Sequence, residues 1–149
     1  MMPTLRRADD RDLAGVLRLY AHLNTSDPIL DADEAAEIWK AILSNEVLHL
    51  IVVEEANRLV SSCLLLIVPN LTRGGRPFAI IENVVTDPDY RRRGLGTMVL
   101  RFALDIAWDA NCYKVMLATG RKDEATLSFY ERSGFSRGTK THFEARQPI

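Results

Sequence analysis

The chain has little of what marks secreted or membrane-spanning proteins. Its 149 residues include only two cysteines, Cys63 and Cys112, with no CxxC pair and no disulfide framework. We therefore expect two half-buried, reduced thiols. No apolar run approaches the roughly 20 residues that a membrane helix needs, and the opening MMPTLRRADD has no apolar core like that of a signal peptide. These absences predict a cytoplasmic protein without a membrane partner.

The chain also lacks a large excess of either positive or negative charge. The formal net charge is -1 and no wide basic stripe is present, which argues against a nucleic-acid partner. The three histidines, His22, His49 and His142, are scattered without metal-ligand spacing, so we expect no metal. Apolar residues make up 47% of the chain, which is enough for a hydrophobic core. With no repeat, linker or low-complexity tract, the length predicts one domain over residues 1–149.

The spacing of apolar residues predicts a mixture of strands and helices. Steps of three and four residues indicate helices, and short runs rich in Val, Ile and Leu indicate strands. Asp31 with Glu34 resembles a capping box that opens a helix. The pattern predicts strands over 3–8, 48–54, 59–68, 78–86, 114–119 and 141–145, and helices over 11–24, 32–44, 95–110 and 123–133. This order predicts an α/β (α+β) fold with a mixed sheet and helices packed on it.

Between a predicted strand and a predicted helix lies the segment RRRGLG, residues 91–96. Glycines allow a tight turn, and the N-terminus of a helix presents polarised N–H groups to an anion. Arginine side chains nearby add charge-assisted hydrogen bonds. The segment is neither a Walker loop, which needs GK[ST], nor a GxGxxG dinucleotide loop. On its own the segment indicates a generic anion site that would accept a group such as pyrophosphate, and a solvated basic turn that caps a helix is the alternative.

Two polar residues, Glu82 and Asn83, interrupt the otherwise apolar strand predicted over 78–86. Such an apolar run is typical of a central strand that is covered on both faces. Burying a carboxylate there is costly unless it is paired or hydrated, so the two side chains indicate an internal cleft. A buried Glu82 with a raised pKa is a candidate general base. Its pairing with an arginine is the alternative.

The helix predicted over 123–133 opens with an acidic residue and is followed by Gly134. Its Tyr130 carries a hydroxyl that needs a partner if the ring is buried. Residue type alone favours a core position for Tyr130.

These three segments together resemble the GNAT family of N-acetyltransferases. Arg91, Gly94 and Gly96 match the family signature R/Q-x-x-G-x-G/A. The strand ENVVTDPDY before it, the helix after it and the closing FYERSGF follow in the family's order over about residues 78–135. The resemblance implies the GNAT fold, a mixed, mostly antiparallel, twisted sheet that splays open at its central strand and is flanked by about four helices.

The resemblance also implies acetyl-CoA as the co-substrate, bound where the sheet splays. Backbone groups of the central strand would bind the pantetheine arm like an added strand, and the loop and first helical turn would bind the pyrophosphate. Many family members carry Asn at the position of Asp123. The implied contacts are Val84, Val85 and Thr86 in the strand, Arg91, Arg92, Arg93, Gly94, Leu95, Gly96 and Thr97 in the loop and helix, and Asp123 and Thr126 in the last helix.

The implied chemistry is direct transfer of acetyl to a primary amine, without a covalent enzyme intermediate or a metal. Glu82 would accept the proton of the amine, directly or through water. A backbone N–H near Val84 or Val85 would stabilise the developing oxyanion, and Tyr130 would protonate the leaving thiolate. The cysteines have no role in this scheme.

A narrower resemblance indicates the acceptor. From Ile81 onward the chain looks most like the glucosamine-6-phosphate N-acetyltransferases, through IEN, RRGLG, NCYKVML and FYERSGFS. These enzymes are homodimers, and they imply an amino-sugar phosphate as the substrate. Glu82 and Asn83 would line the acceptor site, and Arg73 and Arg76 would bind its phosphate, unless their loop is only a mobile basic loop. The alternatives are a protein or peptide amine, a polyamine, an aminophosphonate, an antibiotic, or a non-catalytic acyl-CoA-binding role.

Overall fold

The structure is a computed structural model that describes residues 2–148. The chain divides into two compact units, with the boundary between Leu117 and Ala118. Among the described residues, the first unit contains every strand and three of the four α-helices, and the second contains the last α-helix and an irregular segment.

Within residues 2–148, the sheet of the first unit has five strands: β1 (Thr4–Arg7), β2 (Leu48–Glu55), β3 (Arg58–Val68), β4 (Phe78–Thr86) and β5 (Val115–Met116). They lie side by side in the order β1-β2-β3-β4-β5. Neighbouring strands are antiparallel, except that β5 runs parallel to β4. The prediction of a mixed, mostly antiparallel sheet is confirmed.

Within residues 2–148 the chain forms four α-helices: α1 (Leu13–Tyr20), α2 (Ala32–Ser44), α3 (Leu95–Asp109) and α4 (Glu124–Arg132). Asp31 caps α2, because its carboxylate accepts the N–H groups of Asp33 and Glu34. The predicted number of helices is confirmed, and the predicted bounds of α2 are those observed.

The middle of the sheet is buried on both faces. Ile51, Val52 and Val53 of β2 are buried in succession, which a strand achieves only when both of its faces are covered. The helices α1 and α2 contribute to one buried cluster with residues of the sheet: Val16, Leu19, Trp39, Leu50, Val52, Leu59 and Val85. The long helix α3 packs against β2, β3 and β4, and its buried residues lie outside that cluster.

Three predicted elements are wrong in extent or existence. The helix predicted over 11–24 ends at Tyr20, and Leu23 beyond it is exposed, so no burial supports further turns. The strand predicted over 114–119 has only two residues, since its pairing with β4 stops there. The strand predicted over 141–145 is absent, because residues 141–148 form no strand and Phe143 is exposed.

Candidate active site

The sheet opens along β4. Ala79 and Ile80 lie opposite Val115 and Met116 of β5, and beyond Ile80 no strand within residues 2–148 pairs with this edge of β4. Backbone groups that point to this open edge therefore have no strand partner and can accept an added strand. The predicted splay at the central strand is confirmed.

A β-bulge interrupts β4 at Asn83. The register with β3 shifts between Ser62 and Leu64, and Asn83 has a backbone φ of +54°. A positive φ is uncommon outside glycine, and asparagine tolerates it better than most residues do. A bulge re-aims the side chains and backbone groups beside it, which here are those of Glu82 and Val84.

Beyond the bulge, the register decides which backbone groups face the open edge. The Asp87 N–H donates to a carbonyl of β3 at 2.8 Å. Alternation along the ladder then directs the backbone of Val85 towards β3, and that of Val84 and Thr86 away from it. In agreement, the Thr86 carbonyl accepts a hydrogen bond from Arg91 Nε at 3.3 Å. Of the three strand residues implied as pantetheine contacts, Val84 and Thr86 thus present backbone to the open edge.

Glu82 and Asn83 are both exposed. The prediction that Glu82 is buried is therefore wrong. Within residues 2–148, no arginine forms an ion pair with Glu82. The central strand tolerates this carboxylate because the open edge leaves it in contact with solvent, a feature that an apolar run in the sequence does not reveal.

The loop before α3 contains two left-handed residues, Arg92 with φ +63° and Gly94 with φ +79°. Gly94 is the N-cap of α3 and provides no side-chain cap. A side chain here would point into open space, with no atom within 4 Å of its Cβ. The Met98 N–H donates to the Gly94 carbonyl, so Leu95 and Gly96 open the first turn, where amides have no preceding turn to bond. This open, positively polarised surface fits a pyrophosphate.

The arginines of the loop differ in what they contact. Arg93 forms a bidentate ion pair with Glu55 at the end of β2, with N–O distances of 2.9 and 2.7 Å. This hydrogen-bonded pair raises the pKa of Arg93 and lowers the pKa of Glu55. The Arg93 guanidinium therefore attaches the loop to β2, whereas the exposed Arg92 remains accessible to an anion. The sequence pattern did not indicate Glu55, which lies far from the loop in the chain.

A buried carboxylate holds the end of β4 in place. Asp87 is 1% exposed, and it accepts hydrogen bonds from Arg18, from Arg58 and from the N–H of Asp89, each at 3.0 Å. Burial raises the pKa of Asp87, but the three donors outweigh burial and the pKa lies below its ordinary value. In the sequence Asp87 marks only the end of a strand, because its arginine partners are distant in the chain.

Replacing Asp87 with asparagine is expected to lower the free energy of unfolding by about 2 kcal/mol, because two guanidinium groups lose their counter-charge. The lowered pKa means that the carboxylate stabilises the fold above its unfolded pKa of about 3.9, and that this contribution is lost as the pH falls through the lower folded pKa. Urea denaturation should therefore show a difference at neutral pH that shrinks in acid.

The exposed pair of Glu144 with Arg146 provides the control for this prediction. Glu144→Gln should change the free energy of unfolding by less than about 0.5 kcal/mol. Equal stability of Asp87→Asn and the unaltered chain at neutral pH would contradict the role given to Asp87.

In the second unit, Asp123 caps α4. Its carboxylate accepts the Thr126 hydroxyl at 2.9 Å, Arg121 Nε at 2.9 Å and the Thr126 N–H at 3.1 Å. These hydrogen bonds, first that of the Thr126 hydroxyl, lower the pKa of Asp123 to about 2. The two implied cofactor contacts of this helix thus lie together at its start. Tyr130 lies further along α4 and is half-buried.

The loop between β3 and β4 carries the two arginines implied as phosphate ligands. Arg76 donates to the carbonyls of Asn111 and Cys112, both at 3.2 Å, and so joins the loop to the segment that follows α3. Arg73 is exposed, and its guanidinium lies 5.3 Å from the ring centre of Tyr113. Arg73 therefore has N–H groups accessible to a phosphate, whereas Arg76 already uses part of its own.

The cysteines are free thiols and are buried more completely than predicted. Burial raises the pKa of Cys63 to about 12. Within residues 2–148, no group of three or more His, Cys, Asp or Glu side chains is placed to hold a metal ion. None of the helices described is long and apolar enough to cross a membrane.

The family whose model matches the chain is the acetyltransferase (GNAT) family, over residues 16–135. The chain is also 35% identical over 131 residues to the glucosamine 6-phosphate N-acetyltransferase of Trypanosoma brucei brucei, a match that covers 88% of this chain and 87% of that protein. The chain therefore belongs to the GNAT family of N-acetyltransferases.

Solved structures share the fold. A provisionally assigned acetyltransferase from Agrobacterium tumefaciens strain C58 is 50% identical, with a TM-score of 0.93, and the match covers 97% of this chain and 99% of that one. An aminoglycoside N-acetyltransferase in complex with CoA has a TM-score of 0.81 at 15% identity, with 99% and 96% of the two chains covered. At that identity the likeness concerns the fold alone.

Proposed function

We propose that the protein transfers an acetyl group from acetyl-CoA directly to the primary amine of a small amino-sugar phosphate. The observation that carries this proposal is that one unit combines the open edge of β4 with the glycine-containing N-terminus of α3. The first suits an extended arm that bears amide groups, and the second suits a pyrophosphate. Membership of the GNAT family and the CoA bound to a protein of the same fold support this cofactor.

The residues present fit acetyl-CoA, which supplies a thioester open to attack by an amine. Val84 and Thr86 would bond the pantetheine arm through their backbone groups, while Val85 supports them from the β3 side. Asp123 and Thr126 would contact the cofactor from the start of α4. The pyrophosphate would lie against the loop and the first turn of α3, formed by Arg91, Arg92, Arg93, Gly94, Leu95, Gly96 and Thr97.

Two proton transfers are assigned to side chains of this chain. The exposed Glu82 can accept a proton from the amine, directly or through a water molecule. Tyr130 would give its hydroxyl proton to the sulfur of the leaving thiolate and recover one from solvent. The Val84 N–H, directed to the open edge, would stabilise negative charge on the carbonyl oxygen. Proton transfers of this kind each contribute about 10²–10⁴ in rate.

The amino-sugar phosphate is favoured among the possible acceptors by the Trypanosoma relative and by Arg73. That relative carries the name glucosamine 6-phosphate N-acetyltransferase. Arg73 offers an accessible guanidinium for a phosphate, and Glu82 and Asn83 would line the site of the amine. A protein or peptide amine, a polyamine, an aminophosphonate and an antibiotic are the other acceptors to be compared.

Release of CoA thiol from acetyl-CoA, measured across a panel of amines, tests this choice. Glucosamine 6-phosphate should give a kcat/KM at least about 10-fold above that of unphosphorylated glucosamine, because only the former carries the phosphate that Arg73 would bind through charge-assisted hydrogen bonds. Equal values for the two sugars, or a polyamine or aminophosphonate as the better substrate, would reject the amino-sugar phosphate as the acceptor. Such a result would not reject the proposed transfer of acetyl to a primary amine.

Glu82→Gln is expected to lower kcat by about 10²-fold at neutral pH, because the amide cannot accept the proton of the amine. Affinity for acetyl-CoA should be unchanged, since Glu82 is assigned to the acceptor side. Steady-state kinetics with calorimetry of acetyl-CoA binding measures both quantities. Asp89→Asn, a carboxylate also exposed near β4, is the matched control. Unaltered turnover in Glu82→Gln would remove Glu82 from the mechanism.

We also infer that both compact units belong to one acetyltransferase domain, because the family match extends across the boundary at Leu117. A homodimer located in the cytoplasm remains our prediction for the whole protein.

A further inference from the structure

The connection between β4 and α3, residues 87–94, is tied to the β2–β3 hairpin at two points. Asp87, at the start of the connection, accepts a hydrogen bond from Arg58 at 3.0 Å. Arg93, near its end, donates to both carboxylate oxygens of Glu55, at 2.9 and 2.7 Å. Glu55 and Arg58 are cross-strand partners in the ladder of β2 and β3. The closing pair of the hairpin therefore contacts the connection with one charge of each sign.

The hairpin is a firm support for these contacts. Its turn consists of Ala56 and Asn57, which both have a positive φ, of +52° and +61°, as in the tight turns that match the twist of paired strands. Glu55 is only 9% exposed, so its contact with Arg93 differs from an ordinary surface ion pair. A bidentate arginine–carboxylate pair of this kind fixes both the position and the orientation of the guanidinium.

The loop before α3 gains little order from burial. Residues 91–94 are all exposed, so few apolar contacts restrict them. Arg92 and Gly94, on either side of Arg93, are both left-handed, with φ of +63° and +79°. A left-handed conformation at a residue other than glycine persists where its surroundings hold it. The pair of Arg93 with Glu55 supplies such an attachment, between the two left-handed residues.

We propose that Glu55 is a positioning residue for the cofactor, which holds Arg93 and thereby keeps the loop in the shape that receives the pyrophosphate. The Arg93 guanidinium then anchors the loop and does not bind phosphate. This inference rests on the proposed function, because it concerns the same cofactor site. Since the loop is ordered before the cofactor arrives, binding does not have to order it.

The charge of Glu55 allows the sign of one effect to decide. A carboxylate near a phosphate site repels the phosphate, so electrostatics alone predicts that Glu55→Gln binds acetyl-CoA more tightly. The same would follow if Glu55 withheld Arg93 from the phosphate. A positioning role predicts the opposite, because an amide offers Arg93 one acceptor in place of two and no charge. We expect about ten-fold weaker binding, which corresponds to one more loop residue ordered on binding.

Calorimetric titration of acetyl-CoA and steady-state kinetics with two acyl donors measure this effect in Glu55→Gln. With acetyl-CoA the KM should rise about ten-fold, while kcat at saturation stays unchanged. S-Acetylpantetheine, a thioester without the pyrophosphate, should keep its kcat/KM because it does not reach the loop. Glu54→Gln is the matched control, since the carboxylate of this neighbouring residue accepts a hydrogen bond from Arg6 at 2.6 Å instead. Its affinity for acetyl-CoA should be unchanged.

Arg93→Met shows whether Glu55 acts through Arg93. This variant removes the guanidinium, so acetyl-CoA should bind at least as weakly as in Glu55→Gln. The double variant should bind no more weakly than Arg93→Met alone. Losses that multiply in the double variant would show that Glu55 acts by another route, and they would overturn the proposal.

Two further results with Glu55→Gln would also overturn it. Unchanged or tighter binding of acetyl-CoA would show that the loop does not need this attachment. An equal loss with both acyl donors would show that the pair supports the fold in general and not the pyrophosphate site.

Backbone ¹⁵N relaxation of residues 91–95 in the free protein supplies a readout that needs neither ligand nor turnover. The order parameters of these residues should fall in Glu55→Gln and stay unchanged in Glu54→Gln. If the unaltered protein acetylated no amine, the proposed function would fail, and acetyl-CoA affinity and loop relaxation would still decide the role of Glu55. Equal order parameters in Glu55→Gln and the unaltered protein would contradict that role.

Discussion

Gly94→Glu is expected to abolish measurable binding of acetyl-CoA. Gly94 has a φ of +79°, at which a glutamate is strained. The space beside its Cα is open, so the new carboxylate would extend to the surface proposed for the pyrophosphate. Repulsion between two charges a few ångströms apart near a protein surface costs about 1–4 kcal/mol. Repulsion and strain together predict an affinity at least about 100-fold weaker.

Two variants separate charge from strain in this prediction. Gly94→Ala introduces the strained backbone without the charge, and it should weaken binding far less. Gly138→Glu places the same side chain at a glycine that also has a φ of +79° and open surroundings, so it should bind acetyl-CoA normally. Calorimetric titration measures all three. Wild-type affinity in Gly94→Glu would refute the assignment of the loop to the pyrophosphate.

Tyr130→Phe is expected to lower kcat by about 10²–10⁴-fold, because the leaving thiolate loses its proton donor. The ring of the half-buried Tyr130 is retained, so the melting temperature and the affinity for acetyl-CoA should change little. Steady-state kinetics, calorimetry and thermal denaturation of the same variant measure these three quantities.

The choice of acyl donor provides the control for Tyr130. An acetyl thioester whose thiol is more acidic than that of CoA needs less protonation as it leaves, so it should recover part of the loss in Tyr130→Phe. An equal loss with both donors would point to a role in positioning. Wild-type turnover in Tyr130→Phe would remove Tyr130 from the mechanism.

The parts of the fold that local patterns define were predictable from the sequence. The bounds of β4 and α2 are those predicted, since the first is a long apolar run that stops at Asp87 and the second has a capping residue, Asp31, and a regular apolar spacing. The loop before α3 was predictable as well, because Gly94 is needed where the backbone is left-handed.

The remaining features depend on partners that are distant in the chain. The Glu55 that binds Arg93 and the arginines that bind Asp87 belong to other elements, and no local pattern links them. The exposure of Glu82 follows from the short pairing of β4 with β5, which strand propensity does not report. Because these contacts are tertiary, the spacing of residue types in a single sequence does not reveal them.

Amine-dependent release of thiol from acetyl-CoA tests the central claim most directly. The measurement compares the purified protein with acetyl-CoA alone and with glucosamine 6-phosphate added, and mass spectrometry quantifies the acetylated amine. We predict thiol release that requires the amine and is matched mole for mole by N-acetylated product, with no acetyl group left on the protein. Acetyl-CoA binding without transfer to any primary amine of the panel would contradict the claim that this protein is an acetyltransferase for small amines.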